Sequence, residues 1–232
     1  MAFPTVLSIT ETLFGSDATQ HLVDMPATVV ADDLLLIFFV NDGPATQTTP
    51  GGWTELFDAE YSDSAVRFAC YAKVAVGDED GTTVDVVTSA AQEAAAQVYR
   101  INAWFGALAG VEDETPTTGY NTAPDCPELT PTWGAEDTLW IACYGADHND
   151  TVDTYPTNYA NGTYSVSSGG SGAGSMASAR RELNATDDNP VAYDKSGSEQ
   201  WVANTVAIRP AGAGGGGVAA VFHSYNMRRR NG

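Results

Sequence analysis

The sequence predicts an all-β fold, a jelly-roll-like β-sandwich built from two related halves. Three observations carry this. Ser, Thr, Asn and Gly are common, lysine is rare and only 17% of residues are charged, a composition of strands and turns rather than of surface helices. Two short apolar runs, 34–40 (LLLIFFV) and 138–144 (TLWIACY), are bounded by turn residues and rich in branched and aromatic side chains, which favours buried strands. Both runs also belong to a phrase that occurs twice. Residues 31–53 read ADDLLLIFFVNDGPATQTTPGGW and residues 135–159 read AEDTLWIACYGADHNDTVDTYPTNY. Each copy opens on Ala-acid-Asp, crosses an apolar run and a polar loop holding an Asp, and closes on Pro followed by an aromatic.

The repeat extends beyond the phrase. The apolar runs lie 104 residues apart, Pro50/Trp53 and Pro156/Tyr159 lie 106 apart, and SAAQEAAAQVYRI (89–101) and SGSEQWVANTVAI (196–208) lie 107 apart. A period near 105 is too long for a solenoid or propeller unit. It fits one two-sheet sandwich whose halves are a pair, or two small sandwiches in tandem. The single sandwich is preferred, because the middle of the chain reads as woven rather than linking.

In order, residues 3–9 form a first strand or arm, and 10–28 are polar with a turn at Gly15-Ser16-Asp17. Residues 53–57 alternate as a strand, 58–64 form an acidic loop, 65–76 are a strand and 77–81 a tight turn. Residues 82–88 and 94–101 read as two further strands, with alanines 90–96 alternatively a helical turn. Residues 102–130, with Pro116, Pro124 and Pro127, are a long connection. Residues 160–175 form a Gly/Ser loop at one end of the sandwich, and 175–183 align with 65–76. Pro210 closes the last strand. A domain of 1–210 is therefore followed by a Gly-rich linker and a basic C-terminal peptide, 211–232.

Composition narrows function. Thirty acids against ten bases give a net charge of −20, which excludes nonspecific duplex binding by the body, because phosphate needs Lys and Arg. The apolar runs are too short to span a bilayer, and the N-terminus has neither the basic region nor the apolar segment of a signal peptide. Cys70, Cys126 and Cys143 form no CxxC pair and read as structural thiols.

Chemistry-bearing motifs are few. His21, His148 and His223 are widely separated, and no serine stands in a GxSxG elbow. Gly212, Gly214 and Gly217 match GxGxxG, but too little chain follows for a βαβ unit, so they read as linker. No catalytic centre is expected. Asp147, Asp150 and Asp153, with Asn149, place hard oxygens at a spacing that suits Ca²⁺, the one cofactor these residues suggest. Trp53, Trp104, Trp133, Tyr155, Tyr159 and Tyr164 sit in or near loops, where ring faces can stack on sugar, so a host surface glycan is a candidate ligand. Packing of Trp53 and Tyr159 under their own loops is the architectural alternative. The terminal peptide sets Arg228, Arg229 and Arg230 behind an apolar stretch. Val218, Val221, Phe222, Tyr225 and the three arginines are expected to anchor it on a neighbouring subunit.

The stretches 49–56 (TPGGWTEL), 71–84, 98–101 (VYRI), 129–142 (LTPTWGAEDTLWIA), 155–162 and 177–210 (through ASARRELNA and SEQWVANTVAIRP) resemble a group of structural proteins of tailed bacteriophages and prophages. The resemblance covers most of residues 30–210 and lies in fold motifs. It implies a non-enzymatic virion protein, either a tail-fibre or adhesin component or a capsid decoration. Its partners would be other virion proteins, in a homo-oligomer with a trimer favoured. A carbohydrate-binding module of a host-recognition apparatus is the alternative.

Overall fold

The computed structural model describes residues 2–61, 65–170 and 172–212. Among them the first half forms β1 (Thr5–Asp24), β2 (Leu34–Asp42), β3 (Gln47–Thr48), β4 (Thr54–Glu60), β5 (Val66–Val74) and β6 (Thr83–Asn102). The second half forms β7 (Val111–Asp113), β8 (Thr117–Asn121), β9 (Glu136–Asp147), β10 (Val152–Thr154), β11 (Ala160–Val166), β12 (Gly174–Ala185), β13 (Asp194–Lys195) and β14 (Glu199–Ile208). Among the described residues one 3-10 turn, Leu108–Gly110, lies between the halves.

Each half makes one six-stranded antiparallel sheet, the two with the same strand order, and β10 and β13 of the second half pair as a separate two-stranded sheet. The first runs β1-β6-β2-β5-β4 with β3 also on β6. The second runs β11-β12-β9-β14-β7 with β8 also on β14. Thus β2, β4, β5 and β6 correspond to β9, β11, β12 and β14. Registers refine the match. Leu34 lies opposite Ile101, and Leu139 lies opposite Ile208. The equivalence is therefore Leu34 with Leu139, an offset of 105 rather than the 104 read from the apolar runs. Pro50 and Pro156 hold the expected offset, each accepting a hydrogen bond from the N–H of its aromatic partner, Trp53 (3.1 Å) or Tyr159 (3.0 Å). Register shifts also recur at equivalent places, between Glu55 and Phe57 on β4 and between Ala160 and Thr163 on β11.

The sheets pack face to face into a β-sandwich. Alternation directs Leu34, Leu36, Phe38 and Val40 of β2 inward, where they meet Leu139, Ile141 and Cys143 of β9 and Met176, Val202, Val206 and Ile208. Gly145 stands where β2 has Val40. A Cβ there would lie 2.8 Å from both Phe68 and Val40, so glycine is what lets the sheets close. A polar chain also crosses between them. Tyr99 OH bonds to Ser178 Oγ (2.6 Å), Ser178 donates to Gln97 Oε1 (2.5 Å), Gln97 Nε2 donates to Ser165 Oγ (3.0 Å), and Ser165 donates to Glu11 (2.5 Å). Tyr99, Gln97 and Ser178 have no exposure.

Both outer faces are covered as well, which is why 34–40 is apolar on every residue rather than alternating. Leu35, Ile37 and Phe39 pack with Val23, Met25, Val29 and Trp53. On the second sheet Tyr144 and Trp201 pack with Cys126 and Tyr193. The connection 102–130 is woven into the fold, since β7 and β8 both pair with β14.

Four local expectations change. The turn at Gly15-Ser16-Asp17 is a bulge inside one 20-residue strand, with register shifts between Phe14 and Ala18 and between Ala18 and Gln20. The two strands around the alanines are one continuous β6. Ala94, Ala95 and Ala96 lie between β1 and β2, where pairing on both sides overrides their helix propensity. Much of the Gly/Ser stretch is β11, whose Gly162 lies beneath the Tyr155 ring; a Cβ there would come within 2.4 Å of it. The acidic loop begins later, because β4 runs to Glu60. The interface residues Val218, Val221, Phe222, Tyr225, Arg228, Arg229 and Arg230 lie outside the described residues.

Candidate functional site

β2 and β9 end at equivalent positions on two aspartates, Asp42 and Asp147. Each continues the inward alternation of its strand, so the two carboxyls face each other where the sheets separate, close enough to interact directly. Two carboxylates sharing a site repel, which raises the pKa of one of them. Burial pushes Asp42 up to about 7, helped by Asp147 and by the charges of Glu93 and Asp17. Burial also raises Asp147; the interaction with Asp42 lowers it, Glu199 raises it and Lys195 lowers it. The hairpin between β11 and β12 closes over this mouth. A Cβ on Gly172 would lie 3.4 Å from Asp42 Oδ2, and one on Gly174 would lie 3.2 Å from Asp42 N. Ser167 in the same hairpin donates to Glu93 (2.8 Å).

A second cluster lies beyond the end of β9. Lys195 is fully buried, and its Nζ donates to Asp150 Oδ2 (2.9 Å) and to the Gly197 carbonyl (2.5 Å). The Asp150 carboxylate fills the space a side chain at residue 197 would need; a Cβ there would lie 2.2 Å from Oδ1. That Oδ1 faces His148 Nδ1 at 3.9 Å. Continuing the β9–β14 register by two residues sets Glu199 opposite His148. Ligand atoms of His148, Asp150 and Glu199 all lie within 4.8 Å of one another, the one such group of three among the described residues.

The expected trio is thereby divided. Asp147 pairs with Asp42, Asp150 is held by Lys195, and Asp153 is exposed on β10. They do not converge, because β9 stays extended through Asp147 and the turn after it carries Asp150 toward β13. Asp42, Glu93, Lys195 and Glu199 are partners that spacing along the chain does not show, whereas His148 lies within the aspartate cluster itself. One signal was present: in each copy of the repeated phrase an Asp follows the apolar run, Asp42 in the first and Asp147 in the second.

The aromatic candidates are packing residues. Trp53 is 8% and Trp104 5% exposed, and the Trp104 indole donates to the Asp32 carbonyl (2.8 Å). Tyr155, Tyr159 and Tyr164 are half-buried against the outer face of the second sheet, with Tyr159 OH bonded to Asp188 (2.6 Å). Trp133 is half-buried beside Trp140 and bonds to Thr138 (3.1 Å). His21 is buried, with Nδ1 3.2 Å from the Val86 carbonyl and Nε2 3.1 Å from that of Gln92. The three cysteines are free and buried. Comparison with family models, with curated proteins and with solved structures finds no match for this chain.

Proposed function

We propose that this chain is a non-enzymatic structural protein on the surface of a tailed-phage virion. It serves as a tail-fibre or adhesin component or a capsid decoration, and joins other virion proteins through residues 211–232. The observation that carries this is how the fold employs its buried polar groups. The Tyr99–Ser178–Gln97–Ser165–Glu11 chain ties sheet to sheet. Tyr71 donates to Gln47 (2.9 Å) and Gln47 to Asn41 (2.7 Å), locking the loop after β2. Lys195 locks the turn after β9. Each is a bond that fixes shape, and satisfied buried networks of this kind rigidify a body. A rigid, strongly acidic body with a basic tail suits assembly: the body resists nonspecific association, and the tail has carboxylates to dock on. The phage setting comes from the motif resemblance.

The test is to measure the chain in purified particles by quantitative mass spectrometry and to locate it by immunogold labelling. The intact chain is expected at a fixed stoichiometry to the major structural protein. Deletion of residues 212–232 is expected to leave a soluble, folded body that no longer enters particles. Absence of the intact chain from particles overturns the virion reading. Normal incorporation of the truncated chain overturns the role of the tail alone.

A further inference from the structure

We propose that His148, Asp150 and Glu199 form a binding site for a divalent cation of the zinc class. The three come from the turn after β9 and the first residue of β14, and their ligand atoms lie within 4.8 Å of one another. The donor set selects the metal. An imidazole with carboxylates suits zinc and its neighbours, whereas calcium and magnesium take oxygen ligands. The site therefore differs from the three-aspartate calcium site that spacing suggests, both in residues and in ion.

Buried polar atoms here lack what they need. His148 Nδ1 is covered from solvent although the rest of the ring is partly open, and it has no hydrogen-bond partner. Its separation from Asp150 Oδ1, 3.9 Å, is too long for a hydrogen bond. An ion about 2.1 Å from each ligand reaches pairs from about 3.4 Å at a tetrahedral angle to about 4.2 Å when opposite. The Tyr144 and Tyr164 hydroxyls are also without partners, and both lie near enough to Asp150 to feel its charge; Tyr144 is fully buried. Burying a hydroxyl without a partner is costly.

The carboxylate of Asp150 is already oriented. Lys195 holds Oδ2 and the bare backbone of Gly197 accommodates Oδ1, so the free oxygen is turned toward His148. This is the outer-sphere support that metal carboxylates generally have. The Lys195 ammonium opposes a cation, but Asp150, Glu199 and the neighbouring Asp147 outnumber it.

The test is isothermal titration of the intact chain, freed of metal by chelator, with Zn²⁺ alone. One ion per chain is expected, with a dissociation constant in the micromolar range or below. His148→Ala and Glu199→Gln should each weaken binding at least tenfold while leaving the circular dichroism unchanged. Millimolar Ca²⁺ should not compete, and Co²⁺ should give a visible spectrum that His148→Ala removes. Absence of stoichiometric Zn²⁺ binding, binding that survives both substitutions, or displacement by Ca²⁺ each overturns the proposal. If a variant misfolds, the Co²⁺ spectrum of the wild type decides: intense four- or five-coordinate absorption at one equivalent supports the site, and the weak spectrum of hydrated octahedral Co²⁺ overturns it.

Discussion

Raising the pH from about 5 to about 8 is expected to destabilise this protein through the Asp42–Asp147 pair. Asp42 rises from its ordinary 3.8 to about 7 because it is buried, with Asp147, Glu93 and Asp17 alongside. A carboxyl whose folded value is raised favours the fold while it is protonated. Its contribution is full below about pH 4, where the unfolded chain also holds the proton, and it is lost as pH rises through about 7. A shift of about three units at 1.36 kcal/mol each corresponds to about 4 kcal/mol. The pair sits at the mouth between the sheets, where water screens it, so about 1–2 kcal/mol is the expected loss. The assay is the urea midpoint across this range for wild type, Asp42→Asn and Asp153→Asn. At pH 8 Asp42→Asn should exceed wild type by about 1–2 kcal/mol, and its profile should flatten. Asp153→Asn removes the same charge from an exposed site and should keep the wild-type slope. A wild-type stability that rises toward pH 8, or an Asp153→Asn effect equal to that of Asp42→Asn, would refute the local origin. Glu79 contributes to the acid limb, as does Glu136, which Arg209 holds below its ordinary value. At Glu79 burial opposes the charge, but Lys73 and the N–H groups of Val76 and Gly77 hold it at about 2. Its contribution is present above about 4.5 and fades as pH falls toward 2.

Gly145→Ala should cost about 1–3 kcal/mol in urea unfolding, because its methyl group would press on Phe68 and Val40 across the sandwich. Lys195→Met should cost about 3 kcal/mol by leaving Asp150 without its partner, and adding Asp150→Asn should recover part of that loss in a double-mutant cycle. Burial pushes the thiols of Cys70, Cys126 and Cys143 up, so none should react with Ellman's reagent in the native protein at pH 8, and all three should react in denaturant.

Much of the fold was legible because duplication writes the same constraints twice. Apolar runs such as 34–40 need two buried faces, and the Pro–aromatic closers need the same turn, so both survived as matched text. What the sequence hid were pairings. Alanines 90–96 leave a helical turn open beside the strand reading of 94–101 until β1 and β2 are known to flank 94–96. The bulge in β1 reads as a turn because Gly15-Ser16-Asp17 has turn chemistry, and only the register with β6 shows the strand continuing. The site was half legible for the same reason. Asp147 and Asp150 stood out as a local cluster, yet their partners Asp42, Glu199 and Lys195 lie 45 or more residues away along the chain. Spacing finds ligands on one turn; it does not find those delivered by neighbouring strands.

The chain passes from one sheet to the other once, between β6 and β7, and that passage lies beside the end of β14. Trp104 bridges Pro210, the Phe105 N–H donates to the Arg209 carbonyl and the Ala211 N–H to that of Ala103. Thr5, where β1 starts, pairs with Asn102, where β6 stops. The start of the first half, its exit and the exit of the second half thus meet at one end of the sandwich. A short peptide joining residues 211 and 5, with a new opening within 106–110, would give a circularly permuted chain in which the second sheet is synthesised first. Nothing in the strand pairing distinguishes the two orders. The succession of the halves is a matter of gene order, while the Val40–Gly145 fit and the Tyr99–Glu11 polar chain make each half the specific complement of the other.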